Sequence, residues 1–88
     1  MNFIHAREYL NGGDVVVLSC DTQCNFRIVD DSNFSAFKRG SQFKYYGGYF
    51  KGFPARIAVP HAGNWNVVVD LGGAAANIKY SISYLKQN

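Results

Sequence analysis

No apolar run in this chain approaches the roughly 18 residues of a membrane-spanning helix, so a single-pass anchor is excluded. Cysteine occurs twice, too few for the disulfide framework of a secreted miniprotein. Charged residues are 17% of the chain, against about 25% in an average globular domain. Low charge combined with 16% aromatics excludes intrinsic disorder. Glutamate occurs once, as Glu8, so a catalytic carboxylate pair would fall to the adjacent Asp30 and Asp31. Their position before an apolar-periodic segment marks them instead as helix caps. There is no Gly-x-Ser-x-Gly elbow, and neither Gly47-Gly48 nor Gly72-Gly73 has the Gly-x-x-x-x-Gly-Lys pattern of a phosphate loop. Those glycines are expected to supply positive φ at a turn or bulge.

What is present points to strands. Eighty-eight residues make a single domain, 1–88, without room for a second core. Val15 to Leu18 form a β-branched run entered through Gly12-Gly13-Asp14. Cys24 to Val29 follow, with Phe26 and Ile28 on one face and Asn25 and Arg27 on the other. The short polar segment Asp21-Thr22-Gln23 between them reads as the loop of a hairpin. Ala55, Ile57 and Val59 alternate with Arg56 and Ala58 between Pro54 and Pro60. Pro60 to Asn64 make a turn, after which Trp65, Val67 and Val69 alternate with Asn66 and Val68. Ile78, Tyr80, Ile82 and Tyr84 alternate against Lys79, Ser81 and Ser83.

Three segments are less regular. Phe3, Ala6, Arg7 and Leu10 fit a helix, and Phe3 and His5 against Asn2 and Ile4 fit a strand; the β character that follows favours the strand. Asp30 to Asn33 offer N-caps, Phe34 and Phe37 share a helical face, and Gly40 ends a helix of about two turns. Gln42 to Pro54 is expected to hold a strand, a turn at Gly47-Gly48 and a return strand. The sum is an all-β fold: an antiparallel β-sandwich or flattened, jelly-roll-like barrel with one short helix near Ser32 to Arg39. Its core is expected to contain Phe3, Val15, Val17, Phe26, Ile28, Ile57, Val59, Trp65, Val67, Val69, Ile78, Tyr80 and Ile82.

The chain carries a formal net charge of +3, unevenly spread. No acidic residue lies between Asp31 and Asp70, while Lys38, Arg39, Lys44, Lys51 and Arg56 all do. Phe37, Phe43, Tyr45, Tyr46, Tyr49, Phe50 and Phe53 interleave with those cations. Aromatic faces stack on rings and cations meet phosphates, so this stretch is the candidate ligand-binding surface. Lys38, Arg39, Lys44, Tyr46, Lys51 and Arg56 are its candidate contacts, for a small anion, nucleotide or polymer; nucleic acid stays open as a partner. Packing of the aromatics into a leucine-poor core is the competing reading. Cys20 and Cys24 stand at a metal-pair spacing, but His5 and His61 lie in unrelated segments, so no metal or cofactor is expected. A thiol enzyme pairing one cysteine with a histidine is the weakest reading, and the protein is expected not to be an enzyme. The first ten residues lack a secretory signal pattern, which leads to the expectation of a cytoplasmic protein with reduced thiols. The Ile78 to Tyr84 strand could also pair across a two-fold axis, giving a homodimer with a purely structural role.

Four segments resemble one family: Val29-Asp30-Asp31-Ser32-Asn33-Phe34, Tyr45-Tyr46-Gly47-Gly48, Phe53-Pro54-Ala55-Arg56-Ile57 and the run from Gly63 to Gly73. It is a small bacterial domain of unknown function, found alone and fused to TIR (Toll/interleukin-1 receptor) domains. The resemblance covers nearly the whole chain in collinear order. It implies a compact, mostly β domain of the bacterial cytoplasm, which in fused relatives would regulate or target a TIR effector. It brings no catalytic residues, and the Cys20/Cys24 pair is outside its motifs. The Gly63-x-Trp65-x-Val67-x-Val69 spacing also resembles strands of jelly-roll ligand-binding sandwiches, an analogy of fold alone.

Overall fold

The computed structural model describes residues 3–72 and 78–87. Its elements are β1 (Ile4–Leu10), β2 (Val15–Cys20), β3 (Cys24–Asp30), α1 (Asp31–Arg39), β4 (Tyr46–Phe50), β5 (Ala55–Ala58), β6 (Gly63–Asp70) and β7 (Tyr80–Leu85). A four-stranded sheet of order β1-β6-β3-β4 packs against a three-stranded sheet of order β5-β2-β7. Every pairing is antiparallel, and the two sheets form a sandwich rather than a closed barrel.

The sheets meet through an apolar layer of Leu10, Val16, Leu18, Phe26, Ile28, Ile57, Val59, Trp65, Val67 and Val69, all buried. Strict alternation places most of these residues, because a one-residue slip would turn each inward side chain to solvent. Val15–Leu18 has no alternation to read, and there the expected faces are reversed. Val16 and Leu18 point inward, whereas Val15 and Val17 are half-buried on the outer side. The adjoining Asp14 helps set this register. It is buried and accepts hydrogen bonds from the backbone N–H groups of Asn11 and Gln87, each at 2.8 Å.

The expected hairpin is also absent. β2 and β3 lie in different sheets, and the short segment between them crosses from one layer to the other. A brief polar loop meets the steric needs of a hairpin and of a sheet-to-sheet corner alike, so its composition cannot separate them. Tyr80 sits opposite Cys20 at the end of β2, where the core runs out, and it is 48% exposed. Ile78 and Ile82 are half-buried and pack against the core as expected. Phe3 belongs elsewhere: the inward side of β1 is Ile4, Ala6 and Leu10, so Phe3 faces outward.

A second apolar cluster occupies that outward side of the four-stranded sheet. Phe34 and Phe37 of α1 cover Val29 and Val68, with Phe3 and Phe43 packed around them. Phe3 meets Phe37 edge-on at a centroid distance of 5.2 Å. β6 is therefore buried on both faces, which explains why Val68 follows Val67 and Val69 without a polar break. Asp30 caps the helix by accepting from the Asn33 N–H at 2.8 Å. Gly40 closes it at φ 75°, with the Gly40 N–H donating to Phe37 and the Ser41 N–H to Ala36.

The Gln42–Pro54 region contains one strand rather than two. Gly47 and Gly48 lie inside β4, paired with Arg27 and Phe26 of β3, and make no turn. Gly47 has φ 113° and is needed for close approach: a Cβ there would overlap the Phe26 carbonyl oxygen. Gly72 has φ 74° and sits at a turn as expected, while Gly73 lies outside the described residues.

Candidate functional site: the Arg27 cleft

Where α1 ends, the outer face of the four-stranded sheet is left uncovered. The chain leaves Gly40 and runs back along the helix, held by the Lys44 N–H donating to Asn33 Oδ1 at 2.8 Å. That return stands Phe43 edge-on to Phe37 at 5.3 Å and places Tyr45 5.5 Å from Phe43. Between this aromatic wall and the strands lies an open cleft of about 450 Å³, with Asn25, Arg27 and Asp70 among its lining residues. Its size falls within the roughly 300–1,000 Å³ typical of small-molecule sites.

Arg27 dominates the cleft. Its guanidinium carbon lies 5.0 Å from the Tyr45 ring centroid and 5.9 Å from that of Phe43, within cation–π range. Only 21% of the side chain is exposed, yet Nε has no acceptor among the described residues. The nearest carboxylate oxygen, Asp70 Oδ2, is 3.6 Å from Nη1. That is well beyond the roughly 2.7–2.9 Å of a charge-assisted hydrogen bond. Asp70 is 4% exposed and its Oδ1 accepts from Asn25 Nδ2 at 3.0 Å and from the Gly72 N–H at 2.8 Å. The carboxylate thus fixes Asn25 and the turn after β6, and balances the arginine charge without capturing its N–H groups. A mostly buried guanidinium that makes no short hydrogen bond among the described residues is a candidate receptor for an anion or a carbonyl.

None of the six residues expected to bind is among the lining residues of this cleft. Arg39 precedes Gly40, and Lys44 stands between Phe43 and Tyr45; both are exposed neighbours in sequence of lining residues. Lys38 lies with its Nζ 4.7 Å over the Phe34 ring. Tyr46 is exposed but packs edge-on to Trp65 at 5.8 Å, away from the cleft lining. Lys51 follows β4, and Arg56 lies in the other sheet opposite Val17. The aromatics divide as well: Tyr45, Tyr46 and Tyr49 are exposed, whereas Phe37 is buried and Phe43, Phe50 and Phe53 are partly so. Arg27, Asn25 and Asp70 were missed as site residues because they lie outside the aromatic-basic stretch. For Asn25 and Arg27 the available signal was their position on the polar face of a strand that carries the core on the other side.

A separate polar network pins the start of α1. Asn66, buried in β6, donates to Asp31 Oδ1 at 2.8 Å and to the Val29 carbonyl at 3.3 Å. Its Oδ1 pairs with His5 Nε2 at 2.8 Å, and His5 stacks on Phe34 at 4.2 Å. Arg7 forks onto Asp31 through Nε at 3.0 Å and Nη2 at 2.7 Å. These Arg7 hydrogen bonds, seconded by Asn66, hold the Asp31 carboxyl at about 2. Asp14 is also lowered, first by the Gln87 N–H and then by that of Asn11. Both folded values lie below the unfolded value of about 3.9, so this stabilisation is complete above that pH and lost on acidification through the folded values. Thermal midpoints should therefore hold level from about pH 7 to pH 5 and fall between about pH 4 and pH 2. Asp31→Asn should flatten part of that fall, and an unchanged midpoint at pH 2 would contradict the assignment.

The thiols have a different character. Burial, reinforced by the neighbouring Cys20 thiol, pushes Cys24 up to about 12, so it stays protonated at neutral pH. A protonated thiol is a poor nucleophile and a poor metal ligand. Among the described residues, no three His, Cys, Asp or Glu side chains cluster as metal ligands. Nor is any helix among them long and apolar enough to cross a membrane.

A family model described as Domain of unknown function (DUF1883) matches residues 1–88. The chain belongs to that family. No curated protein and no solved structure matches it significantly. The match spans both sheets and α1 of this DUF1883 domain, so the Arg27 cleft lies wholly within the family's segment.

Proposed function

We propose that this DUF1883 domain is a non-catalytic binding or sensing module that holds a small anionic ligand in the Arg27 cleft. The observation that carries this reading is the guanidinium itself: it is mostly buried, its carbon 5.0 Å from the Tyr45 ring centroid, and without a short hydrogen bond among the described residues. Arg39 and Lys44 add positive charge beside the lining residues. The resemblance to bacterial domains fused to TIR domains supports a cytoplasmic sensor that regulates or targets an attached effector.

Amide chemical shifts of Asn25, Arg27 and Gly72 provide the test, during titration with inorganic phosphate, ribose 5-phosphate and nucleoside monophosphates. At least one of these should perturb the three residues, more weakly as salt is raised. Hydrogen bonds to a charged group are worth about 1.5–3 kcal/mol, so Arg27→Ala should weaken binding roughly 10- to 150-fold. Lys51→Ala and Arg56→Ala should leave it intact. Titration to millimolar concentration without any response at the cleft would overturn the reading. The second reading is self-association through β7, an edge strand with Tyr80 and Leu85 exposed. A dimer that binds none of these compounds and persists in Arg27→Ala would favour it.

A further inference from the structure

We infer that the ligand of the cleft is a mononucleotide whose base carries an exocyclic amine, an inference that rests on the anion-binding reading above. The cleft does not offer positive charge alone. Asn25 Nδ2 is committed to Asp70 Oδ1, so the amide is fixed in one orientation and its Oδ1 remains an acceptor at the lining. Asp70 Oδ2, beside it, also lacks a hydrogen-bond donor among the described residues. A ligand laid against the Asn25 side of this floor meets an acceptor rather than a donor. The complementary ligand presents N–H donors to the strands and negative charge to the cations.

The walls define the rest of the shape. Phe37, Phe43 and Tyr45 form a continuous aromatic edge, and the guanidinium of Arg27 lies against the last two rings. A guanidinium plane can accept a nucleobase on its face. With the base in that position, its amine can donate to Asn25 Oδ1. The phosphate then extends toward solvent, and Arg39 and Lys44 are exposed sequence neighbours of the lining residues Gly40, Phe43 and Tyr45. Adenine and cytosine carry the required amine, whereas hypoxanthine and uracil place a carbonyl oxygen at the corresponding position.

Paired titrations isolate that amine. Adenosine monophosphate should bind about tenfold more tightly than inosine monophosphate, and cytidine monophosphate about tenfold more tightly than uridine monophosphate, a difference of about 1.4 kcal/mol. Asn25→Ala should bring the affinities within each pair together. If that variant does not fold, the wild-type ratios still decide the question. Equal affinity within each pair, or equal binding of ribose 5-phosphate, would overturn the base-reading inference and leave the anion cleft standing. Much tighter binding of a short oligoadenylate than of adenosine monophosphate would replace the mononucleotide with a single strand. Absence of binding by every probe would remove both the inference and the reading beneath it.

Discussion

Gly47→Ala should cost this domain about 2–5 kcal/mol, although it adds one methyl group to a strand at the sheet edge. Two effects combine. A non-glycine residue at φ 113° stores strain of roughly 1–3 kcal/mol. The new Cβ would also overlap the Phe26 carbonyl and lie 2.7 Å from Ile57 Cδ1. The isoleucine tip can shift, but the carbonyl belongs to the backbone of a central strand, and such overpacking typically costs about 1–3 kcal/mol. Gly52→Ala, just beyond the end of β4, is the control. A methyl group there would meet no atom within 4 Å, and the backbone does not require glycine. Its effect should stay within about 0.5 kcal/mol. Urea unfolding followed by the fluorescence of Trp65 would measure both. Equal stabilities for the two variants would refute the close approach of β4 to β3.

Phe26→Ala should be of similar or greater severity, at about 3–5 kcal/mol. Phe26 is fully buried between the sheets, and its ring lies 5.5 Å from that of Phe50. Truncation removes its transfer energy and leaves a cavity that residues held in two sheets cannot collapse to fill. A domain of this size has a total stability of roughly 5–15 kcal/mol, so the variant should be close to unfolding at room temperature. Phe26→Leu should recover most of the loss. A loss below about 1 kcal/mol for Phe26→Ala would mean that the inner face of β3 is wrongly placed. Since β3 also carries Asn25 and Arg27 on its outer face, this residue supports the cleft from behind.

The binding surface was only partly legible. Clustering of lysine and aromatic residues directed attention to Phe37–Arg56, and three aromatics of that stretch, Phe37, Phe43 and Tyr45, do line the cleft, whereas none of its cations does. Arg56 fell outside it because the chain changes sheets before β5, and Lys51 because it follows the far end of β4. The central cation came instead from β3, and the carboxylate beside it from the end of β6. Asn25 and Asp70 are register partners across that strand pair. Nothing in local spacing announces such a pairing, since it is created by a long-range ladder.

Local pattern was enough for the all-β class, the period-two strands at Cys24–Val29 and Ala55–Val59, and a short helix opened within Asp30–Asn33 and closed by Gly40. Each of these depends on neighbours a few residues away, through side-chain alternation, capping or the freedom of glycine at positive φ. Tertiary structure alone decided which sheet each strand joined, which face of Val15–Leu18 turned inward, and that Gly47 and Gly48 would extend a strand rather than reverse it. It also decided that Arg27 would lie beside Tyr45 and Phe43 without a short hydrogen bond among the described residues. These outcomes depend on burial and pairing between segments distant in sequence, where several local solutions cost the same until the sheets close on one another.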